Sequence, residues 1–173
     1  MSDEKAHREV DMEAVRNELA DRARVFEAIG RFIFQFSQLE FTIRVFLATQ
    51  LRLSDEEFDA VTAPYDFRML CAVAQAISLL RFPEQKKDIE SLFGRCLALN
   101  DDRVRVAHGL WSDSIGGGMA ARHVARSSLK ARHYFENPGD VAKLADNAQS
   151  LMAGVLFVLG VPSRAKADTG VSA

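Results

Sequence analysis

The chain has 173 residues, 48% of them hydrophobic and 27% charged, with a formal net charge of −2 and a pI near 6.1. That is enough for one ordinary globular core, and the near-neutral balance excludes a protein that coats nucleic acid through bulk positive charge. Its two cysteines, Cys71 and Cys96, fall at apolar helical positions; this excludes a disulfide framework and points to buried free thiols in a reducing, cytoplasmic setting.

Residues 11–53 read as one long helix, or as two broken near Gly30. Its second half is apolar almost all round, with Ile33, Phe36, Ile43 and Leu47 on one side and Phe34, Phe41 and Val45 on another. A helix of that kind is central in its domain or lies at a subunit interface. Ser54 with Glu57 three residues on is a capping-box pattern and predicts a short helix to about residue 61, closed by Pro64. Asp66 can cap a helix over 67–81 with Leu70, Val73, Ala74, Ile77 and Leu80 as its buried stripe.

After the Phe82-Pro83 break, Pro83 suits the start of a helix because its missing N–H would have no partner there. Ile89, Leu92, Phe93, Cys96, Leu99, Arg103 and Val106 then recur at helical spacing up to His108, and Gly109 reads as the residue just past the helix end. Residues 111–126, with the triple glycine Gly116-Gly117-Gly118 in the middle, predict a hairpin or extended loop. Residues 130–135 supply a third extended piece. The turn Asn137-Pro138-Gly139-Asp140 leads into a last helix over 141–159, with Val141, Leu144, Ala148, Leu151, Val155, Leu156 and Leu159 facing the core. The expected fold is all-α: an up-and-down bundle of four to five main helices with a small β insertion before the last. Residues 1–24 form a charged helical extension, 25–160 the bundle, and 161–173 a disordered tail. The longest near-apolar run, 151–161, is too short to span a bilayer, and the charged N-terminus lacks the apolar core of a signal peptide, so no membrane partner is expected.

Chemistry is suggested at one place, Asp102-Arg103-Val104-Arg105-Val106-Ala107-His108-Gly109. Arg103 supplies a fixed cation, and His108 can exchange a proton near neutral pH. Such a pair suits cleavage of an RNA phosphodiester without a metal: a base takes the 2′-hydroxyl proton while a cation stabilises the charge on phosphorus. Glu40 falls in the apolar stripe of the first helix, where an ionised carboxylate needs a partner. Arg44 one turn on is one partner, and Arg103 or His108 across the bundle is the other. Between Asp113 and Glu136 there is no acid, while Arg122, Arg126, Lys130 and Arg132 are basic, with His123 and His133 among them. Together with Arg105 these read as a phosphate-binding surface for RNA, or as a solvated face. No carboxylate or cysteine is spaced to complete a metal site with the two histidines, and the triple glycine lacks the lysine and strand-to-helix setting of a nucleotide site. Neither a metal nor a cofactor is expected.

Three segments together resemble the HEPN superfamily: Phe36-Ser37-Gln38-Leu39-Glu40 on an early apolar helix, the Arg-x4-His run, and the closing amphipathic helix. The resemblance covers most of residues 25–159. It implies a helical bundle that forms a homodimer, bringing two Arg/His motifs to a shared cleft in a metal-independent endoribonuclease. Arg103 would stabilise the phosphate and His108 would exchange the proton, with Glu40 and Asp102 supporting the site. Val104 departs from the family pattern, which places asparagine or another polar residue after the arginine; Asp101 and Asp102 are the polar groups available in its place. Family analogy further implies a bacterial toxin or defence role, with an antitoxin or sensor protein as partner. The alternative it leaves open is a non-catalytic module that dimerises or binds RNA or another partner.

Overall fold

A computed structural model describes residues 2–113, 119–124, 131–135 and 137–158, with side chains for 12–111, 134–135 and 137–157. In chain order its elements are α1 (Ser2–Leu51), α2 (Asp55–Thr62), α3 (Phe67–Arg81), a 3₁₀ turn (Pro83–Gln85), α4 (Lys86–His108), β1 (Leu110–Asp113), β2 (Met119–Val124), β3 (Ala131–Phe135) and α5 (Pro138–Val158). This is the all-α helical bundle with a small β insertion before the last helix that the periodicities predict. The insertion is a three-stranded antiparallel sheet in the order β1-β2-β3. The triple glycine and the tail from residue 159, including Leu159, lie outside the described residues.

Local chemistry explains most of the boundaries. Gly30 does not break α1: glycine costs about 1 kcal/mol against alanine in a helix interior, and the buried row Phe32, Phe36, Leu39 and Ile43 outweighs that. The helix ends where Arg52 turns to φ 58°, with Arg52 N–H donating to Thr49 O at 3.2 Å and Leu53 N–H to Ala48 O at 3.0 Å. That bond pair is a Schellman closure, which usually employs glycine. The Ser54 hydroxyl and the Glu57 carboxylate exchange bonds with each other's backbone N–H, and Asp66 accepts from Met69 N–H at 2.8 Å. Both caps stand where the sequence puts them. Pro83 opens the 3₁₀ turn rather than α4 itself.

The chain divides into two compact units, Met1–Phe36 with Asp101–Asn147 and Ser37–Asn100 with Ala148–Ala173. The first buries Val25, Ala28, Phe32, Phe36, Val106, Phe135, Val141 and Leu144, with Phe32 and Phe36 edge to face at 6.2 Å between centroids. The second buries Leu39, Ile43, Phe46 and Leu47 of α1, Phe67, Leu70, Cys71 and Ala74 of α3, Ile89, Phe93 and Cys96 of α4, and Leu151 and Val155 of α5. Two stripes differ from expectation. In α3 the buried edge passes through Ser78, whose hydroxyl is satisfied by Ala74 O at 2.7 Å, while Leu80 is 83% exposed. In α5 Leu156 is exposed and Val155 alone continues the core. Hydrophobic type does not say which of two neighbouring rows turns inward when a serine can bond its own helix. Among the described residues no helix is long and apolar enough to cross a membrane.

Candidate functional site at the end of α4

α4 is regular through His108, and Gly109 N–H closes it by donating to Arg105 O at 2.8 Å. The last four carbonyls of a helix have no intrahelical donor. Trp111, the second residue of β1, supplies one: its indole Nε1–H donates to Val106 O at 3.0 Å. The Trp111 ring stacks on Phe135 of β3, 6.1 Å between centroids and 11° between planes. One residue earlier on β3, Tyr134 lies under the Arg105 guanidinium, with Cζ 4.6 Å from the ring centroid. The sheet therefore clamps the last turn of α4 through two aromatic contacts. These residues are invisible to motif reasoning; the signal available was a lone tryptophan three residues past the helix end and an aromatic pair at the close of the third extended segment.

Arg103 is half-buried, with Cζ 5.8 Å from the centroid of the buried Phe36 ring of α1. Among the described residues no carboxylate pairs with it. Arg105 differs: its Nη1 donates to Asp102 Oδ1 at 2.6 Å, a half-buried ion pair one turn apart. Asp102 thus faces Arg105, and Arg105 is held between Asp102 and Tyr134. His108 is exposed and makes no hydrogen bond or ion pair among the described residues. Five residues of α-helix turn through about 140° beyond a full revolution and rise about 7.5 Å. Arg103 and His108 of one chain therefore leave the helix on different sides. Val104 is half-buried and adds no polar group.

Glu40 lies in the second unit and is bound to Arg44, the partner on its own helix, at 2.7 Å. Arg44 also donates to Thr62 O at the end of α2 and to Tyr65 O, the latter at 3.0 Å. It ties α1 to the α2–α3 link, and Glu40 keeps its guanidinium in place. Near them Cys71 and Cys96 are buried free thiols. The hydrogen bond that the Cys71 thiol donates to Cys96, and then burial, hold it far above the ordinary thiol range. Among the described residues no cluster of histidine, cysteine and carboxylate groups could hold a metal.

Of the basic surface, Arg122 lies on β2 and Arg132 on β3. In backbone register Arg122 is opposite His133, and His123 is opposite Arg132. Arg126 and Lys130 lie outside the described residues. The second unit also holds an open groove of about 330 Å³ between α1 and α2, lined by Phe41, Val45, Leu53 and Phe58. Its hydroxyls are engaged, Thr49 on Val45 O and Ser54 in its cap, and Asp55 is the carboxylate in its lining.

Comparison of this chain with family models, curated proteins and solved structures finds no match.

Proposed function

We propose that the chain is a HEPN-like, metal-independent endoribonuclease acting as a homodimer in the cytoplasm, of the kind used in bacterial toxin or defence systems and restrained by an antitoxin or sensor protein. The observation that carries the reading is the contrast at the end of α4. Arg105 is paired with a carboxylate, whereas Arg103 rests on an aromatic ring with no carboxylate partner among the described residues, and His108 five residues on is exposed. A half-buried cation without an acid is suited to an anion that arrives from outside.

The helix geometry favours a site shared by two chains. Because Arg103 and His108 of one chain diverge by about 140°, Arg103 of one protomer meets a phosphate together with His108 of the partner subunit, and the first protomer's own His108 approaches from the other side of the phosphodiester. One His108 takes the 2′-hydroxyl proton as the 2′-oxygen attacks phosphorus, and the partner's His108 gives a proton to the departing 5′-oxygen. The products are a 2′,3′-cyclic phosphate and a 5′-hydroxyl end. Arg103 stabilises the added negative charge on the five-coordinate phosphorus.

The test is incubation of the purified chain with a mixed RNA in EDTA, beside Arg103→Ala and His108→Ala. Cleavage by the native chain and loss of at least about 100-fold in each variant is expected; intact RNA, or equal cleavage by the variants, refutes the activity. A second reading, a non-catalytic module that dimerises or binds RNA or another partner, is favoured by the apolar Val104 and by the engagement of Arg105 with Asp102 and Tyr134. It predicts RNA binding with the strand left whole.

A further inference from the structure

α1 has two apolar faces within the first unit. At about 100° per residue, the buried Val25, Ala28, Phe32 and Phe36 occupy one arc of the helix. Met12, Val15, Leu19, Phe26 and Phe34 occupy a second arc about 100° wide, centred about 140° away. All five are exposed, from 48% at Val15 to 62% at Phe26. Residues 12–20 are exposed on every side, although an isolated helical segment in water is marginal without an apolar face to bury. In the middle of the exposed arc stand two small residues, Ala23 and Gly30. A Cβ at Gly30 would meet nothing within 4 Å. No neighbour in the described chain requires glycine there, whereas a helix approaching closely from outside would.

We propose that this face of α1, residues 12–34, is a self-association surface that takes the same face of a second copy in antiparallel orientation. Three features select that occupant. About an axis at Ala23 the stripe is self-complementary: Leu19 meets the partner's Phe26, Met12 meets the partner's Phe34, and the two Ala23 residues let the backbones close. Arg16 and Glu27 lie on the same edge of the stripe, and in the antiparallel pair each Arg16 falls within about one helical turn of the partner's Glu27. The five side chains expose about 500 Å² a chain, so the pair buries roughly 1,000 Å², the lower bound of a specific interface.

The surface is separate from the cleft proposed for RNA cleavage, because Arg103 packs on Phe36, on the buried arc of α1. The experiment is sedimentation equilibrium of the full chain from about 1 to about 200 µM. The expected result is a reversible association step additional to the cleft dimer, whose Kd rises at least about tenfold in Phe26→Glu and in Leu19→Glu, and does not change in Leu80→Glu, which alters an exposed leucine of α3. Gly30→Leu weakens association without lowering the urea midpoint, since its side chain has open space in the monomer. A short bis-maleimide joins an Arg16→Cys chain to a Gly30→Cys chain and joins neither to itself. A native chain that shows no association step beyond the cleft dimer, association in which every step is indifferent to Phe26→Glu, or self-joining of the Arg16→Cys chain overturns the proposal. Cleavage in EDTA is measured on the same variants. Loss of association with cleavage retained supports the stripe as a second contact, and intact RNA with association retained removes the nuclease reading alone.

Discussion

Replacing Arg103 by alanine separates a site residue from a structural one by its effect on stability. The structure gives its guanidinium one described contact, the Phe36 ring at 5.8 Å, near the outer limit of a cation–π interaction. At a half-buried position that contact contributes about 1 kcal/mol, and lost packing of the aliphatic stem adds up to about 1 kcal/mol more. No carboxylate is stranded, so the cost of about 3 to 5 kcal/mol for breaking a buried ion pair does not arise. Arg103→Ala should therefore lose about 1 to 2 kcal/mol, a fall in Tm of roughly 3 to 6 °C for a domain of this size. His108→Ala, at an exposed position without a partner among the described residues, should stay within about 0.5 kcal/mol of the native chain. Urea unfolding followed by circular dichroism reads both, with the slope against urea unchanged. A loss above about 4 kcal/mol at Arg103 would refute the reasoning, because it would mean that the arginine compensates a buried acid and is not available to a phosphate.

Three further outcomes follow from contacts described above. Arg44→Met leaves Glu40 without its ion pair, Tyr65 O without its guanidinium donor and Thr62 O with Tyr65 N–H alone, and should cost about 2 to 3 kcal/mol; the Glu40→Gln/Arg44→Met cycle in urea should give a coupling above about 0.5 kcal/mol, and additivity would show that the two do not act together. Arg52→Gly relieves a left-handed conformation at φ 58° and should raise stability by about 0.5 kcal/mol after the greater freedom of glycine in the unfolded chain is subtracted; a loss would mean the Arg52 side chain outweighs the backbone strain. Iodoacetamide at about pH 8 should leave Cys71 and Cys96 unmodified in the native chain and alkylate both in urea. Both thiols are buried and Cys71 holds its proton more tightly than an ordinary thiol, so alkylation at the native rate of a free peptide thiol would contradict their burial.

What could be read without coordinates was governed by neighbours in sequence. The capping box at Ser54 and Glu57, the Asp66 cap, the stop at Gly109 and the 3.6-residue apolar row of α4 depend on groups within a turn or two of one another, and each stands where it was expected. The Glu40–Arg44 pair belongs with them, an i,i+4 contact one turn long. Leu80 and Leu156 mark where that logic stops: each lies beside a row that could have turned inward, and which row does so depends on what the helix meets.

The pattern of residues by itself determined an all-α chain with a short extended insertion, two buried thiols, and one Arg/His pair at a helix end. Only the tertiary structure decided what surrounds that pair. Phe36 is 67 positions from Arg103, Tyr134 is 29 from Arg105 and Asp102 only three, yet together they separate a cation without an acid from a cation that has one. No local rule can make that distinction, since charge compensation depends on distance in space and local rules read only distance along the chain. The same limit applies to α1, whose apolar residues announce burial on two sides; the packing of the chain covers one side and leaves the stripe from Met12 to Phe34 exposed.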